Sequence, residues 1–389
     1  MYSMDNNGHI QTAPMEIHFM YATIVTRRTI CSSFQVCYTT FFCPLFPLLF
    51  ISNRLYRYIT DIIFTFWQYY PTALLELFCG CNIHVTGDAI RTDEISILLM
   101  NHRTRTDWNF FWPTLYHCVE GKRKLAHSTK FLLKNEIRHI PGPGWVMQLA
   151  CFVYINRSWK EDKKIFNQYI QYITDIKYKH SLLLFPEGTD FTEETKKSSD
   201  NYALKNNLPL YETVLHPKTT GFVYLTQQLL EKNSLDAVYD IILVYPDVIP
   251  QNEKWILAGK FPRVVKVHLV RYPKSVLPTS EDGLKQFLEK RWRDKETIIK
   301  EFKATGKFLH GPILRCNKRW ELYVAFLFWT TLPYISAYLF ITEIKYMIMV
   351  VLNTCFMLCT NFCLKEFLNF EVFLHLWRKN KNARLGSSP

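Results

Sequence analysis

The chain has 389 residues, 48% of them apolar and 16% aromatic, which excludes both a small stapled module and a disordered chain. Forty-seven Lys and Arg against 34 Asp and Glu leave a net charge of +13, which predicts attraction to polyanions. The basic residues are spread along the chain and no nucleic-acid module is readable, so an anionic membrane is the favoured partner and nucleic acid is not expected. Eleven cysteines, odd in number and mostly in apolar runs, lack the paired spacing of a zinc site or a disulfide framework. No metal is expected, and the bulk of the chain reads as cytosolic.

In chain order, Thr29 to Asn53 carry no charge over 25 positions, between Arg27 and Arg28 on one side and Arg54 and Arg57 on the other. Such a run is long enough to cross a bilayer, while Pro44 and Pro47 would kink it, so a span and a re-entrant segment both fit. Tyr58 to Cys81, aromatic but broken by Asp61, Pro71 and Glu76, reads as interfacial. Residues 1–85 are thus expected to form an N-terminal membrane or interfacial region.

Residues 86–310 read as an α/β domain. Short apolar runs (Ile95 to Met100, Cys151 to Ile155, Ser181 to Phe185, Tyr239 to Tyr245) alternate with helical stretches such as Asp162 to Ile176, predicting a mixed, largely parallel sheet with flanking helices. Lys266 to Arg271 has a half-exposed strand pattern, and Ser280 to Lys303 a basic amphipathic helix opened by a capping serine. Within Lys130 to Gly144, Lys130 and Lys134 lie four apart and are expected on one helical face, either aimed at headgroups or cofactor phosphates or simply solvated. Residues 311–389 hold two uncharged runs, Leu322 to Thr342 and Tyr346 to Leu364, flanked on both sides by basic residues. They predict a transmembrane hairpin with both ends and the α/β domain on the cytosolic side, followed by a basic tail.

Ligands of open α/β sheets gather beyond the carboxyl ends of strands, so the residues that follow each apolar run carry the chemistry. After Met100 comes Asn101-His102-Arg103-Thr104-Arg105-Thr106-Asp107. An imidazole accepts a proton only through a free nitrogen, and a carboxylate on the other N–H fixes the tautomer, so His102 reads as a base and Asp107 as its orienter. After Leu184 comes Phe185-Pro186-Glu187-Gly188-Thr189-Asp190, in which proline stops the strand and glycine permits close backbone approach. After Ile155 come Asn156 and Arg157, whose guanidinium suits phosphate oxygens, the alternative being a surface pair with Glu161 or Asp162. Trp108, Phe110, Phe111 and Trp112 read as core or as the border of an acyl pocket.

With these residues in place the chain resembles the glycerolipid acyltransferases related to 1-acylglycerol-3-phosphate acyltransferase, marked by N-H-x-x-x-x-D and then F-P-E-G-T. TGD at 86–88, PGPGWVMQ at 141–148, INRSWKEDK at 155–163, VLHPKTTGF at 214–222, YPDVIPQNEK at 245–254 and HLVRYP at 268–273 extend the likeness, most closely to the lysocardiolipin and lysophosphatidylinositol acyltransferase branch. The resemblance implies transfer of a fatty acyl group from acyl-CoA, a co-substrate with no further cofactor, to the hydroxyl of a lysophospholipid acceptor. It gives His102 and Asp107 the catalytic roles and assigns Arg157, Glu187, Gly188 and Thr189 to substrate binding, to which Lys134 is added from its own place in the Lys130 to Gly144 segment. With the apolar runs above, the expectation is a multi-pass protein of the endoplasmic-reticulum membrane, and no oligomeric state is read. Asp190 stands where phosphatidic-acid-forming members commonly have arginine, which argues against lysophosphatidic acid as the main acceptor. Two alternatives stay open: a phosphatidic-acid-forming acyltransferase and a catalytically silent membrane scaffold.

Overall fold

The structure, a computed structural model, describes Ser33 and residues 36–386. Most of the Thr29–Asn53 run before residue 36 therefore lies outside the described residues. Its remainder is an irregular helical segment, wide over Cys37–Phe42 and tight over Cys43–Phe50, where Pro44 and Pro47 withhold backbone donors.

Helix α1 (Asn53–Ala73) follows, its first turn held by the Ser52 hydroxyl accepting from Leu55 N–H. The chain then alternates between strands and helices: β1 (Asn82–Gly87), β2 (Ile90–Arg91), β3 (Ser96–Met100), α2 (Asp107–Cys118), β4 (Val119–Glu120), β5 (Thr129–Lys134), α3 (Pro143–Leu149) and β6 (Val153–Ile155). Next come α4 (Trp159–Asp175), β7 (Ser181–Leu184), α5 (Glu193–Lys205), α6 (Thr219–Glu231), β8 (Ala237–Val244), α7 (Glu253–Leu257), β9 (Val264–Pro273), α8 (Glu281–Thr305) and β10 (Ile313–Leu314). Three long helices close the chain: α9 (Arg319–Thr342), α10 (Ile344–Cys363) and α11 (Phe367–Gly386).

Eight strands form one sheet in the order β10-β1-β9-β8-β3-β7-β5-β6, with the β1–β10 and β8–β9 pairs antiparallel and the rest parallel. This is the mixed, largely parallel sheet expected. β3, β7 and β8 are buried along their whole length, and a strand covered on both faces reads as an unbroken apolar run. One face packs under α1 and α2 through Phe64, Trp67, Trp112 and Phe131, and the other under α4, α6 and α8 through Phe166, Ile170, Leu225, Leu288 and Trp292. The register aligns Leu99 of β3 with Leu184 of β7 and Asp240 of β8, so the segments leaving these strands emerge side by side. Phe110, Phe111 and Trp112 are fully buried core, with Trp108 packed partly exposed against them.

Three expectations change. Lys130 and Lys134 lie on strand β5, not on a helix, and the Lys130 ammonium is buried against Asp61 of α1 at 2.9 Å. Tyr58 to Cys81 is mostly core: α1 buries Phe64, Trp67, Tyr69 and Tyr70, and its charges are matched, Asp61 by Lys130 and Tyr178, Arg57 by Glu371 and the Leu149 carbonyl. Pairing removes the penalty that made those charges look like membrane-surface markers. The basic tail is helix α11, docked on the α/β unit through Glu371 to Arg57 and Tyr172, and through His375 and Lys379 to Asp175.

α9 and α10 are each long and apolar enough to cross a membrane, and only 11% of each apolar window is buried. They turn at Glu343 and are tied by a 2.7 Å bond between the Ser336 and Tyr346 hydroxyls. The helix of a soluble core would be covered, whereas Tyr338, Ile341 and Phe362 stand largely exposed on this hairpin. Its two ends return to the α/β unit, at Lys318, which accepts from Tyr116, and at α11.

Candidate active site

Beyond Met100 the chain leaves β3, and Asn101 keeps it beside β8 by bonding Leu243 in both directions: its amide donates to Leu243 O at 3.0 Å and its carbonyl accepts from Leu243 N–H at 2.9 Å. This clamp turns the next residue, His102, onto the crest of the sheet. The Thr104 and Thr106 hydroxyls both donate to the Pro250 carbonyl, which closes the loop and starts α2 at Asp107.

His102 Nδ1 lies 3.0 Å from Asp107 Oδ2. The same oxygen accepts from Thr104 N–H at 3.1 Å, and Oδ1 accepts from the Tyr245 hydroxyl at 2.6 Å, so the carboxylate is fully buried and held from three sides. With Nδ1 facing a carboxylate, the tautomer carries its proton on Nδ1 and leaves the lone pair on Nε2. Nε2 has no hydrogen bond among the described residues, and the side chain is 19% exposed. Burial favours the neutral ring, but the hydrogen bond and charge of Asp107, together with the charges of Glu187 and Asp190, outweigh it and hold the imidazole above its ordinary value of 6.5. Burial and the Asp107 charge raise Tyr245 well above the usual tyrosine range, so it remains a donor. Phe185 stacks on the His102 ring with centroids 4.2 Å apart, restricting its rotation.

Glu187 sits inside the crest. Its Oε1 accepts from His102 N–H at 3.0 Å and from Trp292 Nε1 at 3.3 Å, and its Oε2 accepts from Leu215 N–H at 3.2 Å. One carboxylate thereby ties together the segments after β3 and β7, the loop before α6, and helix α8. Helix α8 supplies the other anchors: Lys295 pairs with Asp240 of β8, and Glu296 accepts from the N–H groups of Glu212 and Thr213 just before Leu215. Burial pushes the Glu187 carboxyl up to about 7, with its N–H donors and His102 pulling the other way.

Arg157 follows β6 in a left-handed conformation, φ 60°, and donates from Nη2 to the Gly188 carbonyl at 2.7 Å. Its side chain is exposed and pairs with neither Glu161 nor Asp162, the latter accepting instead from Asn156 N–H. Gly188 itself has φ +73°, and a Cβ there would stand 3.2 Å from the Lys218 ammonium, so glycine lets two cations approach one backbone turn. Thr189 is half-buried beside Asp190, its hydroxyl 3.4 Å from that carboxylate. Lys134 ends β5 opposite Ile155, exposed on the same edge and without a hydrogen bond among the described residues.

His102, Asp107, Glu187, Gly188 and Arg157 are thus linked by direct contacts, while Lys134 flanks them. Sequence reasoning missed Tyr245, Trp292 and Lys218. Tyr245 directly follows β8 and was open to the strand-end rule; Trp292 lies mid-helix on α8, where nothing local distinguishes it. The arrangement offers a hydrogen-bonded imidazole with one free nitrogen beside an exposed cationic turn, suited to drawing a proton from a hydroxyl on an anionic molecule.

Two family models match the chain: an acyltransferase domain over residues 82–249 and an acyltransferase C-terminus over residues 255–329. It is 42% identical over 298 residues to lysocardiolipin acyltransferase 1 of Gallus gallus, covering 75% of this chain and 78% of that protein. It is 35% identical to lysophosphatidylinositol acyltransferase 10 of Caenorhabditis elegans, covering 69% of each. The crystal structure of the 1-acyl-sn-glycerophosphate acyltransferase PlsC from Thermotoga maritima aligns over 76% of this chain and 99% of its own, at 15% identity and a TM-score of 0.48.

Proposed function

Since the chain belongs to the glycerolipid acyltransferase family, in its lysocardiolipin acyltransferase branch, we propose that it transfers a fatty acyl group from acyl-CoA to the free hydroxyl of a lysophospholipid. The observation that carries this reading is the open Nε2 of His102, its partner nitrogen held by Asp107. His102 Nε2 takes the proton of the acceptor hydroxyl as that oxygen attacks the thioester carbonyl. Asp107 steadies the imidazolium that forms. The carbon–sulfur bond then breaks, and the thiolate of CoA leaves with the proton that His102 returns. One carbon–oxygen bond replaces one carbon–sulfur bond and the proton passes from hydroxyl to thiol, so acyl-CoA serves as co-substrate and no prosthetic group takes part.

Arg157, with Lys218 beside Gly188, is the place for the acceptor phosphate, since a guanidinium can meet two of its oxygens at once. Glu187 contributes as a positioning residue, because its oxygens are occupied by the crest's own N–H groups. Thr189 and Lys134 lie where they can extend the polar rim toward acceptor or donor. The hairpin α9–α10 is the membrane anchor, and the cations at Arg315, Lys318, Arg319, Arg378 and Lys379 at its two ends favour a cytosolic α/β unit in the endoplasmic-reticulum membrane.

The test is acyl transfer by membranes bearing the full chain, given oleoyl-CoA and a panel of lysophosphatidylinositol, monolysocardiolipin, lysophosphatidylglycerol and lysophosphatidic acid. The reading predicts new diacyl product and stoichiometric CoA release with the first three in preference to lysophosphatidic acid. Preference for lysophosphatidic acid would move the chain to the phosphatidic-acid-forming reading, and no product above membranes lacking it would sink the enzyme altogether.

A further inference from the structure

Helix α10 carries Cys355, Cys359 and Cys363, spaced four apart and all exposed. Elsewhere among the described residues, Cys43, Cys81, Cys118, Cys151 and Cys316 are buried and Cys79 is partly so. Residues four apart share one face of a helix. The other face of α10 is the one that meets the protein: Met357 and Thr360 are buried, and the Asn361 carbonyl oxygen accepts from the Gln148 amide of α3 at 2.9 Å. The Gln148 carbonyl oxygen accepts in turn from Phe367 N–H at 3.0 Å, where α11 begins. These contacts set the rotation of α10, so the cysteine stripe points outward in company with the exposed Leu352, Leu358 and Phe362.

A small thiol among such large side chains adds little apolar area to a lipid-facing surface, so packing gives no reason for this stripe. A metal gives none either, since no group of three His, Cys, Asp or Glu among the described residues is placed to hold an ion. Position supplies the reason. Cys363 is the last residue of α10, at the end of the hairpin that returns to the α/β unit, and Lys365 follows two residues on. With the hairpin as an anchor and its ends cytosolic, Cys363 lies at the cytosolic headgroup level, and Cys359 and Cys355 lie about 6 and 12 Å deeper along the helix. An accessible thiol at that level is open to acyl transfer, whereas a thiol in a packed core is inert.

We propose that Cys363, with Cys359 one turn deeper, is a site of S-acylation by a long-chain fatty acyl group. The inference rests on the reading of α9–α10 as a membrane anchor with cytosolic ends and is independent of the chemistry at the crest. The cysteine sulfur attacks the thioester carbonyl of an acyl-CoA. A carbon–sulfur bond to the cysteine replaces the one to CoA, and the proton of the cysteine thiol ends on the CoA sulfur. One thioester is exchanged for another, so no oxidant or reductant takes part. The attached chain enters the cytosolic leaflet beside α10 and holds the junction of α10, α3 and α11 around Gln148 at the membrane surface.

Cells expressing the full chain and fed a long-chain alkynyl fatty acid test this, with the protein freed of lipid by solvent extraction and the alkyne coupled to a dye. Wild type should carry label that neutral hydroxylamine removes, as it removes a thioester and not an oxygen ester. Cys363→Ala should lower that label at least twofold, and Cys363→Ala combined with Cys359→Ala at least tenfold. Cys355→Ala, deeper in the bilayer, should leave it within twofold of wild type. All three positions face away from the protein, so each variant should accumulate in membranes to the wild-type level, which controls for folding. Wild type that is membrane-bound without hydroxylamine-sensitive label, or label undiminished in the double variant, would overturn the site. Failure of the anchor reading gives a different pattern, in which alkaline carbonate releases the chain from the membranes.

Discussion

The crest and the base of the sheet both bury carboxylates, and they satisfy them with different partners. At the base, Asp61 meets the Lys130 ammonium and the Tyr178 hydroxyl, and Glu371 of α11 meets the Arg57 guanidinium and the Tyr172 hydroxyl. These are opposite charges closed on one another, and neither pair leaves an atom facing solvent. At the crest, Glu187 is held by neutral N–H groups, and Asp107 by an N–H, the Tyr245 hydroxyl and His102, whose far nitrogen is open. Closed pairs fix where the N-terminal and C-terminal helices dock. The open set can change protonation without breaking the fold, which is what proton transfer requires.

Mutations should separate the two regions. His102→Ala is expected to lower turnover by about 10² to 10⁴-fold with little change in acceptor affinity, measured by product formation and direct binding on the same preparation. Arg57→Met should do the converse, destabilising the protein by about 3 to 5 kcal/mol because Glu371 is left buried and unpaired, while the folded fraction keeps its rate per site. Thermal unfolding of the purified chain checks this, and Arg57→Met combined with Glu371→Leu should recover most of the loss. Arg157→Ala is expected to raise the KM for phosphate-bearing acceptors by about tenfold, consistent with a charge-assisted hydrogen bond. The smallest effect should come from Tyr245→Phe, at most about tenfold in turnover, since Asp107 keeps its Thr104 donor. Equal losses of stability and rate in all four variants would erase the distinction between the regions.

Much of the crest was legible because β3 and β7 are covered on both faces and so read as plain apolar runs, with chemistry-bearing residues immediately after them. The His102–Asp107 contact is local, five residues apart across one loop. What holds that contact is remote: Tyr245 lies 138 residues beyond Asp107, and Trp292 lies 105 beyond Glu187. Lys130 shows the opposite failure. Two lysines four apart fit a helical face, and only Asp61, 69 residues upstream, explains why one of them is buried on a strand. The same remote pairing made α1 look interfacial and α11 look like a free tail, because the sequence displays their charges without their partners.

The most direct measurement of His102 acting as a base under the control of Asp107 is the pH dependence of kcat/KM for wild type and Asp107→Asn, with one acceptor whose own phosphate does not titrate in the range. Only neutral imidazole can accept the proton, so the rate falls as pH drops through the His102 pKa. Asp107 holds that pKa above 6.5, so the wild-type acid limb should lie above 6.5. In Asp107→Asn burial, which lowers the imidazole, is opposed only by the Glu187 and Asp190 charges, so the limb should move to lower pH than in wild type while the maximal rate falls. An acid limb at the same pH in both proteins, or no acid limb in either, would contradict the account.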